Sequence, residues 1–170
     1  MKIYIIGPVA SGKTTLARQL SEKLDRSFWS LDEIVHKKDA SCPLGNCMRQ
    51  TEERDKMFQI ILEQPEWIIE DVGRKCFSEG MVQADRIVLL DVPTDVRIFR
   101  IIKRWIRQKI GLEKCIYKPQ FSMLKNMLKW SHDYDIGRDG VKNRLSSFQK
   151  KVVVLKTRTE IRDFLDIIEP

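Results

Sequence analysis

Near the start of the chain, eight residues have types and a spacing that suit phosphate binding: Gly7-Pro8-Val9-Ala10-Ser11-Gly12-Lys13-Thr14. Glycines in such a run let backbone N–H groups approach an anion closely, and a helix that begins there directs its positive end at the same anion. A lysine followed by a hydroxyl residue then reaches nucleotide phosphates and a magnesium ion. The run therefore predicts a loop that binds the phosphates of a nucleotide, and the arginines and acids described below narrow the nucleotide to ATP with Mg²⁺. The predicted contacts are Gly7, Ala10, Ser11, Gly12, Lys13, Thr14 and Thr15, with Thr14 also at the metal.

Acidic residues follow three of the apolar segments: Asp32, the pair Glu70-Asp71, and Asp91. Phosphoryl transfer needs an acid near the magnesium ion and a group that orients or deprotonates the acceptor. The Glu70-Asp71 pair follows a Trp-Ile-Ile run, which places it at the end of a buried strand. For each acid the alternative is a solvated loop residue or a helix cap, and Asp91 could simply lead into the next helix.

After Pro93, four arginines recur at helical spacing: Arg97, Arg100, Arg104 and Arg107. At 100° per residue they fall within an arc of about 80°, opposite an apolar arc of about 120°. The apolar arc holds Ile98, Phe99, Ile102, Trp105 and Ile106. Because an apolar face normally packs on a sheet, we expect the arginines to form one outward row that binds transferring phosphates. A solvated basic face is the alternative.

The formal net charge of +7 is concentrated in residues 97–129, where ten lysines and arginines accompany a single acid, Glu113. Such a local excess suggests a polyanionic partner, which could be nucleotide phosphates or nucleic acid. Aromatic residues lie among these charges, so a nucleic-acid surface with base stacking is an alternative to a kinase site.

Five apolar segments predict the strands that must position these residues: 3–6, 28–31, 67–69, 86–91 and 152–155. Strands without polar alternation belong in a parallel sheet that is covered on both faces. Amphipathic stretches at 13–24, 48–62 and 158–168 predict helices between and after them. The sequence thus predicts an α/β protein with a three-layer α/β/α P-loop NTPase fold and a five-stranded parallel sheet, whose sites collect at the carboxyl ends of the strands.

The 170 residues predict one domain over 1–170, with an acceptor arm at 33–64 and a short lid at 108–120. Residues 36–47 and 111–120 have the composition of loops. No apolar run approaches the length of a spanning helix, and the first residues do not form a secretory leader, so we expect a cytoplasmic protein without a membrane partner. The four cysteines suggest no convincing pairing, and we expect reduced thiols rather than a zinc site.

Taken together, the loop, the acids and the arginine row resemble the adenylate-kinase branch of small P-loop kinases. Within that branch the chain most closely resembles the bacterial DNA topology modulation proteins, over nearly its whole length. The segment from Trp67 to Arg74 is similar to the family's strand that ends in an acid, with an arginine four residues on. The resemblance implies that Glu70 is the acid on the metal side and that Arg74 grips a phosphate of the acceptor. Asp71 stands where the family usually has glycine, so the choice between Glu70 and Asp71 stays open.

The spacing from Asp91-Val92-Pro93 to Arg100 and Arg104 also matches adenylate kinases. The resemblance implies that Arg100 packs on the base of ATP and that Arg104 contacts phosphates near the lid. Residues 155–158 correspond to the loop that borders adenine. Asp32 lies where related kinases bind a hydroxyl of the acceptor.

The resemblance implies an ATP- and Mg²⁺-dependent phosphotransferase that acts on an unidentified small acceptor. Its catalytic residues would be Lys13, Arg104, Glu70 and Asp32, and its acceptor contacts Asp32, Asp71 and Arg74. The chain lacks the four-cysteine zinc lid of some adenylate kinases, and residues 32–50 do not match a standard nucleoside-monophosphate arm. A nucleotide-regulated protein that binds nucleic acid and affects DNA topology is the alternative.

Overall fold

The computed structural model describes residues 1–39, 41–42, 45–113 and 119–169. Seven strands occur in these residues: β1 (Lys2–Ile6), β2 (Phe28–Ser30), β3 (His36–Lys38), β4 (Asn46–Met48), β5 (Trp67–Asp71), β6 (Arg86–Leu90) and β7 (Val152–Leu155). Eight α-helices accompany them: α1 (Lys13–Leu24), α2 (Leu31–Val35), α3 (Thr51–Leu62), α4 (Ser78–Gln83), α5 (Thr94–Lys109), α6 (Phe121–Asp135), α7 (Val141–Leu145) and α8 (Arg158–Ile167).

Five of the strands form one parallel sheet in the order β2-β5-β1-β6-β7. Alternate residues of a strand point to opposite faces. In β1, Ile3 and Ile5 therefore pack under α1 and α8, whereas Tyr4 and Ile6 pack with α2, α3 and α4 on the other face. The predicted three-layer α/β/α fold with a five-stranded parallel sheet is confirmed.

Helix α6 was not predicted from the sequence. Its buried residues recur at helical spacing, but the buried stripe includes Ser131, while Phe121 and Trp130 on the same helix are exposed. This mixture hides the period that normally reveals an amphipathic helix. Together, α6 and α7 cover the carboxyl end of the sheet, for which the sequence predicted no helix.

The predicted orientation of α5 is wrong. Ile98, Phe99 and Ile102 are 38%, 66% and 40% exposed, whereas Arg97 is 1% exposed. The reason is that α5 packs mainly on α6 rather than on the sheet. Its inner face supplies Ile101 to a small core with Leu124 and Met127 of α6, and Arg100 and Arg104 of the same helix line a cavity beside the loop between β1 and α1.

The expectation for the cysteines is also wrong for one pair. Strands β3 and β4 form an antiparallel hairpin, which places the Cα atoms of Cys42 and Cys47 6.0 Å apart, and a disulfide joins them. This separation lies in the normal range for a disulfide. The described residues here thus include a two-stranded hairpin, β3 with β4, where the sequence predicted a loop. In the lid predicted at 108–120, residues 114–118 lie outside the described part of the chain.

Among the described helices, none has the length and the hydropathy that a membrane span requires.

Candidate active site

The loop between β1 and α1 lies at the carboxyl edge of the sheet. Ala10 and Gly12 both have left-handed backbone, with φ of 60° and 105°, and α1 begins directly after Gly12. A Cβ atom at Gly7 would lie 2.8 Å from the carbonyl oxygen of Leu90 in β6. Only glycine therefore fits at this position. The Ser11 hydroxyl is buried and has no hydrogen-bond partner among the described residues. The loop thus offers an unused donor beside the positive end of a helix.

Lys13 lies inside the loop rather than on its surface. Its ammonium donates to the carbonyl oxygen of Pro8 at 3.1 Å, and the residue is buried. Burial lowers the pKa of Lys13, and the nearby carboxylates of Glu70 and Asp32 oppose this shift without cancelling it. A poorly solvated cation of this kind binds an incoming anion strongly, because little water must be removed first.

Thr14 and Glu70 form a pair of oxygen ligands next to Lys13. The Thr14 hydroxyl donates to Oε1 of Glu70 at 2.8 Å, and Glu70 is buried at the end of β5. Hydroxyl and carboxylate oxygens are the ligands that Mg²⁺ prefers. The donor set therefore fits a magnesium ion.

Asp71 has a different set of contacts from its neighbour. Its carboxylate accepts from the backbone N–H groups of Gly73 and Arg74, at 2.8 and 2.5 Å, and pairs with the Arg74 guanidinium. Successive strand residues point to opposite faces, so only one of the two acids can reach the Thr14 side of β5. That acid is Glu70, and Asp71 instead fixes the turn that carries Arg74.

Arg74 joins Asp71 to Asp32, which lies at the start of α2. Burial alone would raise the pKa of Asp32, but Arg74 and then Lys13 outweigh it, so the pKa lies below the usual aspartate value. Half of the Asp32 side chain remains exposed to the adjoining cavity. An ionised carboxylate is thus presented beside a fixed guanidinium.

The stability that the Asp32–Arg74 pair provides should be lost at low pH. Because the folded-state pKa of Asp32 lies below the unfolded value of about 3.9, its contribution is complete above that value and lost as the pH falls through the folded pKa. Urea unfolding should show Asp32→Asn to be less stable than wild type by about 1 kcal/mol or less at pH 7. The two unfolding free energies should converge as the pH falls through the lowered folded-state pKa of Asp32. A gap that stays constant down to that pKa would contradict this assignment.

The arginines of α5 separate into distinct environments. Arg100 donates to the carbonyl oxygens of Ala10 and Ser11 at 3.2 and 3.0 Å, which places it on the loop. Arg104 lines the cavity and lies 3.3 Å from Glu113. Arg97 is buried against α6, and Arg107 pairs only with Glu113 among the described residues. The predicted row of four phosphate-binding arginines therefore reduces to Arg100 and Arg104.

Two further arginines at the site were missed in the sequence. Arg138 follows α6 and Arg144 lies on α7, and both line the cavity. Arg144 donates to the Gly73 carbonyl at 2.5 Å, while its buried Nε has no partner among the described residues. The signal available in the sequence was the pair of arginines on either side of Gly140. This glycine forms a turn in the structure, with φ of 68°. Without a predicted α6 there was no reason to place them at the sheet edge.

Asp91 does not line the cavity, and its contacts hold helices against the sheet instead. The Tyr134 hydroxyl donates to its Oδ1 at 2.7 Å, and the Lys142 ammonium lies 3.1 Å from the same oxygen. These contacts tie α6 and the start of α7 to the end of β6. They also hold the pKa of Asp91 below its usual value against the opposing effect of burial.

One open cavity of 1560 Å³ contacts both the loop and the Asp32–Arg74 pair. Its walls include Arg100 on the loop and, around Asp32, the residues Arg74 and Arg144. A site for one small ligand usually has about 300–1,000 Å³. The cavity is large enough for two ligands side by side, with Lys13 and Asp32 facing it between them.

A parallel sheet in this order, with a glycine loop that leads from the central strand β1 into α1, defines a P-loop NTPase fold. Residues 3–115 match the model of an AAA domain family, and the chain belongs to that family.

Kinases are among the proteins that this chain resembles. Shikimate kinase from Psychrobacter arcticus is 26% identical, over 59% of this chain and 59% of its own. The chain therefore spans somewhat more than half of that relative. A sugar kinase structure from Janibacter matches 97% of this chain and 92% of its own, with 17% identity and a TM-score of 0.53. Shikimate kinase from Acinetobacter baumannii, in complex with shikimate, matches 97% and 88%, with 18% identity and a TM-score of 0.52. These structural likenesses concern the fold.

Proposed function

We propose that this protein is a kinase that transfers the γ-phosphoryl group of ATP to a hydroxyl group of a small acceptor. The observation that carries the proposal is the single cavity that joins the phosphate loop to the Asp32–Arg74 pair. A protein that only binds nucleotide has no need for a second polar site of this size beside the loop. The names of the relatives, shikimate kinase and sugar kinase, support the same activity.

The donor half would consist of the loop, Lys13 and the two arginines of α5 that face the site. Backbone N–H groups of residues 10–15 would bind the phosphates, and Lys13 would neutralise charge that develops on the transferred group. Arg100 and Arg158 would border the nucleotide, and Arg104 would reach its phosphates. Mg²⁺, held by Thr14 and by Glu70 directly or through water, would neutralise charge on the phosphate oxygens.

The acceptor half would be centred on Asp32. Its carboxylate would accept the proton of the acceptor hydroxyl while that oxygen forms a bond to the γ-phosphorus and the bond from phosphorus to ADP breaks. Arg74, held by Asp71, would bind an anionic group of the acceptor. Arg144, which donates to the Gly73 carbonyl, would add positive charge beside Arg74, and Arg138 would add charge to the same cavity.

We also propose that the chain is related to the DNA topology modulation proteins within the adenylate-kinase branch. Direct binding of nucleic acid is the less favoured function. Of the arginines that suggested a basic surface, Arg97 is buried and Arg100 and Arg104 face the cavity. Arg100 and Arg104 are thus directed toward a small-molecule site rather than toward an extended backbone.

The proposed activity is tested in two steps. Thermal unfolding with a panel of hydroxylated metabolites, in the presence of ADP and Mg²⁺, identifies compounds that bind the native state, because such ligands raise its stability. Turnover of ATP is then measured with each compound that raises Tm. We expect one compound class to stimulate ATP turnover with formation of its phosphate ester. Stimulation by DNA alone, without a phosphorylated product, would overturn the proposal.

Exchange of each acid of β5 for its amide should separate their roles. Glu70→Gln weakens a magnesium ligand, so we expect kcat to fall about 10²-fold, with a higher Mg²⁺ concentration needed for half-maximal rate. Asp71→Asn loosens Arg74, so KM for the acceptor should rise about 10-fold while the Mg²⁺ requirement stays the same. Initial rates against Mg²⁺ and against acceptor measure both effects. A shifted Mg²⁺ requirement in Asp71→Asn alone would reverse the assignment.

A further inference from the structure

The outer face of α5 exposes apolar residues from Ile98 to Ile110, the residue that directly follows the helix. Four isoleucines recur at every fourth position, 98, 102, 106 and 110, and all are between 38% and 62% exposed. Phe99 extends this face and is the most exposed of its residues. Contiguous exposed apolar patches on a helix mark interaction surfaces rather than ordinary solvent-facing positions. We call Ile98, Phe99, Ile102, Ile106 and Ile110 the isoleucine face.

Residues spaced by four form a ridge that is inclined to the helix axis. Two such ridges interdigitate when two helices pack, and this is the commonest packing of helices in globular proteins. Phe99, Ile102 and Ile106 also line a shallow groove beside the ridge. The face therefore has both the ridge and the groove that a second helix requires.

The charges at the two ends of the isoleucine face have opposite signs. Asp95 and Lys109 lie on the same side of the helix as Ile102, and both are exposed. Each is seven residues from Ile102, one toward each terminus, so they are separated by about 21 Å along the axis. Neither forms an ion pair with another described residue. If a second copy of the helix ran in the opposite direction across Ile102, its Lys109 would therefore lie opposite Asp95 and its Asp95 opposite Lys109.

We propose that the isoleucine face pairs two copies of this chain in a symmetric dimer, with their α5 helices antiparallel and crossing at Ile102. In a two-fold contact residue i meets residue j and j meets i. Pairing about Ile102 places Ile98 against Ile106 of the other copy. It also places Asp95 against Lys109 of the other copy, twice in each dimer.

The charges favour a second copy over an anionic lipid surface. A membrane-binding helix carries cations along its polar border and no acid within its apolar face. Here Asp95 lies within the face and would meet the lipid phosphates at a cost. Lys103 lies at the border, where its ammonium sits 5.9 Å from the centre of the Phe99 ring and remains accessible to water.

Sedimentation equilibrium of the full chain at 1–100 µM tests the dimer. We expect wild type to reach twice its 20.0 kDa mass with rising concentration. Ile102→Lys places two lysines at the two-fold axis and should stay monomeric throughout this range. The matched control is Ile60→Lys, which changes a similarly exposed isoleucine of α3 and should dimerise like wild type. Circular dichroism confirms that both variants are folded.

A charge exchange tests the antiparallel register. Asp95→Lys places a lysine opposite Lys109 of the other copy, and Lys109→Asp places an aspartate opposite Asp95 of the other copy. Each substitution should therefore raise the dimer Kd about 10-fold or more. The double variant Asp95→Lys/Lys109→Asp restores opposite charges and should return Kd to within about threefold of wild type. Glu52→Lys, the same change of charge in the first turn of α3, should leave Kd unchanged.

Three outcomes would overturn the proposal. Wild type could remain monomeric at every concentration, or Ile102→Lys could dimerise as well as wild type. The double charge variant could fail to recover, which would exclude the antiparallel register. Wild type that stays monomeric but sediments with vesicles containing phosphatidylserine would assign the face to lipid instead.

Discussion

Replacing Arg97 with alanine should lower the free energy of unfolding by about 3 kcal/mol, because it breaks a buried ion pair by removing one partner. The guanidinium pairs with Asp135, and its Nε donates to the Val92 carbonyl at 2.9 Å. It also packs over the Tyr134 ring, 5.5 Å from the centre. Alanine would leave the Val92 carbonyl without this donor and the Asp135 carboxylate with the Thr94 hydroxyl alone, and it would open space between α5 and α6.

Urea denaturation monitored by circular dichroism measures this loss. Arg107→Ala is the matched control. Arg107 lies on the same helix, but it is half-exposed and its ion pair with Glu113, at 3.4 Å, lies at the surface. Its unfolding free energy should stay within about 0.5 kcal/mol of wild type. The double variant Arg97→Met/Asp135→Leu should recover much of the loss, since an apolar pair of similar volume needs no desolvated charge. An Arg97→Ala protein as stable as Arg107→Ala would contradict the buried role of Arg97.

Arg97 explains why the orientation of α5 could not be predicted from its own sequence. The helical period showed two faces, one of arginines and one of isoleucines, but not which neighbour each face meets. That choice depends on Asp135, 38 residues further along the chain and on a helix that the pattern did not reveal. A buried ion pair with a remote partner leaves no local signal, and the usual expectation that the apolar face is the inner one was therefore wrong.

The phosphate loop and the sheet were predictable for the opposite reason. The loop depends on residues within eight positions, and Gly7 is required by its close approach to the Leu90 carbonyl of the neighbouring strand. The strands are apolar on both faces, which specifies burial between two layers of helices. Both signals are local and need no knowledge of a distant partner.

The acids of β5 show where prediction from local sequence ends. Glu70 and Asp71 are equally acidic neighbours, and only the direction in which each leaves the strand separates them. The pairing of β5 with β1 fixes that direction, with Ile5 beside Glu70 and Ile6 beside Asp71. Register of this kind is a property of the assembled sheet, so the sequence left both assignments open.

Replacing Lys13 with methionine should reduce phosphoryl transfer about 10³-fold while leaving the protein as stable as wild type or more so. The lost rate follows from the proposed role of the ammonium at the developing charge of the transferred group. The stability follows from burial. Because burial lowers the pKa of Lys13, its charged form is less favourable in the folded protein than in the unfolded chain. Methionine fills a similar volume and needs no solvation.

Two measurements on the same samples separate this result from a folding defect. The first is the rate of ATP turnover with the acceptor identified by thermal unfolding, and the second is Tm with and without ATP and Mg²⁺. Without nucleotide, Lys13→Met should have a Tm equal to or above that of wild type. It should gain less from ATP, because the stabilisation by a ligand rises with the logarithm of its affinity for the native state. Lys103→Met on the outer side of α5 is the control, since it removes an exposed lysine and should keep the full ATP shift. Turnover by Lys13→Met within tenfold of wild type would contradict the proposed role of the loop lysine, and equal ATP shifts would show that Lys13 does not contact the nucleotide.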